Sequence, residues 1–207
     1  MTKNDHISDT AQKEYGSFAA FSFFRAPVTN TRPACNFTLR DAFNYITSDI
    51  ARQNTQTLRT FNSSDERKQF KANAFDYCTF SGVFAKRNAK SLSLHSTLIC
   101  FDLDDLQDVD DAFRILIHDP YFNTLLLFRS PSGNGLKWVL SMRYHFENRS
   151  HYFQAETLIS YHSFFFDAVS NYLLEAYGLQ TDQKCSDIAR ACFLPYDPSA
   201  YINPQML

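Results

Sequence analysis

Two aspartates, Asp102 and Asp104, stand two residues apart at the end of an apolar run that reads as a strand. That spacing sends both carboxylates to one face of a strand while Phe101 and Leu103 take the other. Carboxylates so placed repel each other until a divalent cation sits between them, and hard oxygen donors suit Mg2+ or Mn2+ carrying a phosphate-bearing substrate. The competing account is a solvated turn in which Asp104, Asp105 or Asp108 favours a helix start. A second candidate is Ser130-Pro-Ser-Gly-Asn-Gly-Leu-Lys137. Backbone N–H groups around Gly133 and Gly135, the hydroxyls of Ser130 and Ser132, and Lys137 on the following strand together suit a phosphate group. The spacing is not G-x-x-x-x-G-K-S/T and the loop lies within a hairpin, so a P-loop NTPase is excluded; a plain turn on Asn134-Gly135 is the alternative. A third acid is Asp182 or Asp187, each upstream of Arg190, which suits phosphate; a local cap or ion pair is the competing role of either acid. The six histidines are scattered and none is assigned to catalysis.

These residues need elements to position them. The apolar run Ser17–Phe24 reads as a strand, and Thr38 with Asp41 reads as a capped helix start, with Leu39, Ala42, Phe43, Ile46 and Ile50 as its buried face. Asn54–Ser64 reads as polar loop, Asp65–Ala72 as a short charged helix and Phe75–Phe84 as a strand. Leu92–Leu103 is the strand that delivers the first acid pair, and Asp108 opens a helix with the stripe Val109, Ala112, Phe113, Leu116. Thr124–Phe128 and Leu136–Met142 form a hairpin around the Ser130–Gly135 loop. A long helical region spans Ser150–Tyr177, broken near Ser160, and Gly178 is placed to end it. A polar segment, Gln180–Arg190, then leads to a strand at Ala191–Tyr196. Strands and helices mix without strict βαβ alternation, so the expected class is α+β, with helices on a mixed or antiparallel sheet, as one domain or two closely fused lobes.

Composition narrows the classes. The chain has 207 residues, 44% hydrophobic and 20% charged, ordinary values for a globular protein, and no apolar stretch has the ~18 residues of a membrane span. Residues 1–16 are polar and read as a flexible tail before one domain at 17–207; they lack the apolar core of a signal peptide. A net charge of −2 means that any polynucleotide must meet a local basic surface, for which Lys71, Lys86, Arg87 and Lys90 are candidates, with Phe84 and Trp138 as rings for stacking. Burial is the simpler account of Trp138. Five cysteines, Cys35, Cys78, Cys100, Cys185 and Cys192, without C-x-x-C spacing, read as reduced core residues of a cytoplasmic protein, and a zinc site is not expected.

The order of the motifs is more specific than any one of them. Lys71-Ala-Asn-Ala-Phe75, Thr79-Phe-Ser-Gly-Val-Phe84 with Arg87, Leu98-Ile-Cys-Phe-Asp-Leu-Asp104, the Ser130–Lys137 loop and Asp187-Ile-Ala-Arg-Ala-Cys-Phe-Leu-Pro-Tyr-Asp-Pro198 together resemble the VirE amino-terminal family of bacterial primase-like domains. That family is part of the archaeo-eukaryotic primase, or primase-polymerase, superfamily. The resemblance covers roughly residues 17 to 204. It implies a primase-polymerase fold, with Asp102, Asp104 and Asp182 as catalytic ligands of Mg2+ or Mn2+. It implies a nucleoside triphosphate held by Ser130, Ser132, Gly133, Gly135, Lys137 and Arg190, and single-stranded or primed DNA, or RNA, met by Lys71, Lys86 and Arg87. A helicase-like replication module is the partner it suggests. Active relatives usually carry His where Leu136-Lys137 stands here, which leaves open a nucleotide- or nucleic-acid-binding module without turnover. A metal-dependent nuclease is the other alternative for such acids.

Overall fold

The structure is a computed structural model that describes residues 19–143 and 155–207. In chain order the strands and helices are β1 Phe21–Phe24, β2 Cys35–Phe37, α1 Leu39–Thr47, α2 Arg52–Thr60, α3 Ser64–Ala74, β3 Tyr77–Thr79, β4 Gly82–Phe84, β5 Leu92–His95 and β6 Leu98–Leu103. They continue as α4 Val109–Ile117, β7 Leu126–Arg129, β8 Leu136–Ser141, α5 Ala155–Tyr177, β9 Cys192–Phe193 and β10 Tyr201–Ile202. The class is α+β. One sheet has the order β2-β1-β3-β9, a second β10-β7-β8-β6, and β4 pairs with β5 as a ribbon. Every pairing is antiparallel. The expected tail at 1–16, the start of the first strand at Ser17 and the start of the long helix at Ser150 lie outside the described residues.

Period-two alternation in β6 and β8 builds two cores back to back. Ile99, Phe101 and Leu103 with Leu136, Trp138 and Leu140 pack against α4 and α5 through Ala112, Leu116, Phe166, Val169 and Leu173. Their neighbours Leu98 and Val139 face the opposite way, into a core shared with Phe21, Phe23 and Cys78 of the first sheet and with α1. The capping box at the start of α1 is present: Asp41 N–H donates to Thr38 Oγ1 at 3.3 Å, and Thr38 N–H donates to Asp41 Oδ2 at 2.8 Å. Asp108 caps α4 by accepting from Asp111 N–H at 2.9 Å. Gly178, at φ +67°, ends α5, with its N–H donating back to Leu174 O at 3.0 Å, the 5→1 bond of a left-handed C-cap.

The structure departs from the expected elements in several places. Asn54–Ser64 is not a loop: α2 runs to Thr60, because Thr55 and Leu58 make a one-turn buried face that its many polar neighbours hide from a periodicity count. Phe75–Phe84 splits into β3 and β4, in different sheets, and Leu92–Leu103 splits into β5 and β6 at Thr97, whose φ is +64°. The helix α5 is unbroken at Ser160, which is exposed. Ile50 is 64% exposed because α1 stops at Thr47 and a 3-10 turn, Asp49–Ala51, rotates it off the buried stripe. The strand expected at Ala191–Tyr196 is only the two-residue β9, and β10 has no counterpart in the reading. Cys35 is exposed rather than part of the core. Phe84 and Trp138 are 1% and 0% exposed, so neither ring is available for stacking on a base.

Candidate metal and phosphate site

The alternation that sends Phe101 and Trp138 to the helices sends their neighbours, Asp102 and Lys137, into the space between the two sheets. Asp102 and Lys137 are directly opposite in the β6–β8 register, where facing side chains stand about 5 Å apart at Cβ. Lys137 Nζ forms an ion pair with Asp102 Oδ2, and both side chains are 11% exposed. The other carboxylate oxygen, Asp102 Oδ1, is buried without a hydrogen-bond partner among the described residues. A lone pair left bare at that depth costs free energy unless something with positive charge meets it.

Because β6 is an edge strand of its sheet, its outer hydrogen-bonding groups are open to another segment. That segment is the one after α5. Asp182 N–H donates to the Asp102 carbonyl at 2.8 Å, which brings the third acid beside the first. Asp182 also caps a 3-10 turn, Gln183–Ser186, through Oδ1 to Lys184 N–H at 3.0 Å, while Oδ2 pairs with Arg190 Nη2 at 2.8 Å. Cys185, inside that turn, completes the group: Asp102, Asp182 and Cys185 each offer a donor atom, and all three atoms lie within 4.8 Å of one another. Asp187 is exposed and serves its own loop, accepting from Ala189 N–H at 2.9 Å.

Asp102 is the member of this group that also lines a cleft of about 290 Å³, which Asp182 and Cys185 do not line. Asp102, Asp104, Asp187, Lys137 and Arg190 line it, and so do Lys71 from α3, Arg87 and Ser130. A second, smaller cavity of about 30 Å³ shares Asp102, Lys137, Asp187 and Arg190 and adds Cys100, Cys185, Cys192 and His162. Arg87 is held in place by Tyr77, whose OH accepts from Nε at 3.1 Å, and by the Val28 carbonyl at 3.2 Å from Nη2. The Ser130–Gly135 loop is locked onto the acidic turn: Leu106 N–H donates to Asn134 O at 2.9 Å and Asn134 Nδ2 to Asp105 Oδ1 at 2.6 Å. Gly135 permits this approach, since a Cβ there would run into the Leu103 carbonyl oxygen. Two of the loop's N–H groups close the turn itself, Gly133 N–H to Ser130 O at 2.9 Å and Ser130 N–H to Gly135 O at 2.8 Å. Ser132 Oγ donates to Asn134 Oδ1 at 2.6 Å.

Burial and charge bias the titrating groups. Enclosure by protein, with Asp105 and Asp182 adding like charge, raises the Asp104 carboxyl above its usual range against the pull of Lys71 and Arg190, even though the side chain sits at the exposed rim. Burial lowers the Lys71 ammonium, and Lys137 adds to that. Burial pushes the Cys185 thiol up to about 11, opposed by Lys137 and Arg190. Two imidazoles stand behind the smaller cavity, with His95 and His162 ring centroids 5.4 Å apart. Burial holds them neutral, pushing His95 down to about 4 and His162 to about 3.

Most of the expected residues therefore meet. Asp102 and Asp182 share one donor group, and Lys71, Arg87, Asp104, Ser130, Lys137 and Arg190 line the same cleft. Asp104 lies outside the donor group. Ser132, Gly133 and Gly135 shape the loop and do not line the cleft, and Lys86 is exposed outside it. Sequence reasoning missed Cys185, placed there among the apolar cysteines; its signal is the i, i+3 spacing from Asp182 inside a polar segment. It also missed Arg59 of α2, whose Nε donates to Pro131 O at 3.2 Å and braces the loop from behind. Residues 69–202 match the family model described as BT4734-like, N-terminal domain. No curated protein and no solved structure matches the chain.

Proposed function

Starting from a chain that belongs to the BT4734-like, N-terminal domain family, we propose that it is a primase-polymerase-type nucleotidyltransferase domain. Its α+β architecture would be the primase-polymerase fold, and its substrates a nucleoside triphosphate and single-stranded or primed nucleic acid. One observation carries the reading: five separate segments converge on one cleft, where a buried carboxylate, one of whose oxygens has no hydrogen-bond partner among the described residues, stands among four cationic side chains. The lining residues named above fall within the ordered motifs that resemble VirE amino-terminal domains.

The donor chemistry fits a divalent cation, since Asp102 Oδ1 lacks a hydrogen-bond partner among the described residues and Asp182 stands beside it. Mg2+ or Mn2+ held there would offset triphosphate charge and favour in-line attack by a 3′-hydroxyl with loss of pyrophosphate. Lys137, Lys71 and Arg190 supply the positive charge that orients phosphates, and Arg190 does so as a planar fork already aligned by Asp182. Arg87, fixed against Tyr77, offers a rigid cation at the rim for a strand's backbone. Primer synthesis or extension on a single-stranded template in Mn2+ or Mg2+ tests the reading. Incorporation is expected from the wild type and its loss from Asp102→Ala with Asp104→Ala; no incorporation by the folded wild type with either NTPs or dNTPs overturns the enzyme.

A second reading is a binding module without turnover. It is favoured by the ion pair, because Lys137 already occupies Asp102 Oδ2. It predicts salt-dependent binding of nucleotide or single strands with no incorporation.

A further inference from the structure

We infer that Cys185 is a metal-ligating residue, so that Asp102, Asp182 and Cys185 form a mixed oxygen–sulfur site selective for thiophilic divalent ions such as Co2+, Zn2+ and Cd2+ over Mg2+. The inference rests on the metal reading of the same cleft and deepens it by naming the third donor and the class of ion. The geometry is that of a three-donor site, with all three donor atoms within 4.8 Å of one another. An independent observation points to a ligand: Asp102 is 8% exposed and its Oδ1 has no hydrogen-bond partner among the described residues. The Cys185 backbone is fixed by its N–H to Asp182 O at 2.9 Å, so carboxylate and thiol are presented by one rigid turn. Asp104, the donor that would have made an all-oxygen set, is outside the group.

Sulfur changes which ion is preferred. An all-oxygen site suits Mg2+, which keeps its waters and near-ideal octahedral geometry, whereas a thiolate favours softer ions. Three protein donors also leave positions for water or a phosphate oxygen, as catalytic rather than structural sites do. Binding exchanges the Cys185 S–H bond for an S–metal bond and delivers the proton to the buffer. Lys137 stays beside Asp102 Oδ2, so the cation approaches Oδ1.

Co2+ titrated into the full chain provides the test. A near-ultraviolet sulfur-to-cobalt charge-transfer band is expected, saturating with a single ion and accompanied by proton release. Cd2+ should compete at least about tenfold better than Mg2+. Cys185→Ser and Cys185→Ala should each abolish the band and collapse the Cd2+ preference, with a cooperative melt confirming the fold. Asp182→Asn, at a partly exposed position, weakens Co2+ binding and supplies the arm that does not disturb the buried thiol. Cys100→Ser should keep the band. Co2+ bound without the band, or with a band that survives loss of Cys185, overturns the inference while leaving the metal reading intact. No binding of Co2+, Mn2+ or Mg2+ by the folded wild type removes both.

Discussion

The two faces of β6 and β8 differ by one residue in sequence and by almost everything in physics. On the helix side, Phe101 and Trp138 are 0% exposed, their centroids 5.7 Å apart, and Trp138 Nε1 donates to Thr124 Oγ1 at 2.7 Å. Both rings are packed, and the indole N–H is paired. One residue along each strand, Asp102 and Lys137 are almost as deeply placed, but they carry opposite charges and leave an oxygen bare. The first face is closed by α4 and α5; the second opens on a cleft. A strand with both faces covered can thus divide labour by parity: one set of alternate residues holds the sheet together, and the other is held by it. The cost of the bare oxygen is borne by the packing behind it.

The sharpest way to break that contrast is to remove material from the closed face. Trp138→Ala should cost about 4 kcal/mol in denaturant unfolding, through lost burial, the cavity and the lost hydrogen bond to Thr124 Oγ1. The molecules that remain folded should keep their Co2+ affinity, because Asp102 points to the other face and Cys185, which joins the helix-side core, is held by its own turn through its N–H to Asp182 O. A loss of metal binding beyond the unfolded fraction would show that the two faces are not separable. Next in size is the open face. Lys137→Met strands a buried carboxylate and should cost about 3 kcal/mol, whereas Asp102→Asn with Lys137→Met should return to within about 1 kcal/mol of wild type, since the buried charge is then gone. A divalent cation should narrow the deficit of Lys137→Met more than it stabilises wild type, because it supplies the missing positive charge. Equal stabilisation of both would separate the ion pair from the metal.

The parity itself was legible in the sequence. Asp102 follows an apolar strand, Lys137 begins the returning one, and two-residue periodicity states which neighbours share a face. Their partnership was not legible, because the β6–β8 register joins residues 35 positions apart and depends on where β6 begins. That start is set at Thr97, a β-branched residue with φ +64°, a conformation its type argues against. Local rules worked where the determinants were local: Thr38 with Asp41, Asp108 with Asp111, and Gly178. They failed at α2, whose single buried turn of Thr55 and Leu58 depends on neighbours from elsewhere: Tyr196 N–H reaches Thr55 Oγ1 at 2.8 Å, and Asn54 Nδ2 reaches Ala74 O at 2.8 Å. Cys185 was hidden for the same reason. Its proximity to Asp102 comes from the Asp182 segment covering the free edge of β6, a long-range event that no spacing encodes.

The smallest expected effect lies where the two faces meet, at His95 and His162. His162 is on α5 but lines the cavity shared with Asp102 and Lys137, and His95 lies across from it. Burial holds both neutral in the folded chain, with His95 lowered to about 4 and His162 to about 3, against an ordinary value near 6.5. The sign follows from proton counting. Above about pH 6.5 neither state binds a proton at these rings. Between there and about pH 4 the unfolded chain binds protons that the folded chain refuses, so stability falls as pH falls. From pH 7 to 5.5 the two histidines together should remove about 2 kcal/mol. His162→Gln should remove about half of that pH dependence, read as the difference between unfolding free energies at the two pH values. The double change with His95→Gln should remove most of it. If wild type and His162→Gln lose the same stability over this interval, the imidazole is not excluded from protonation. The neutral, closed character assigned to the helix side would then stop short of the cavity wall.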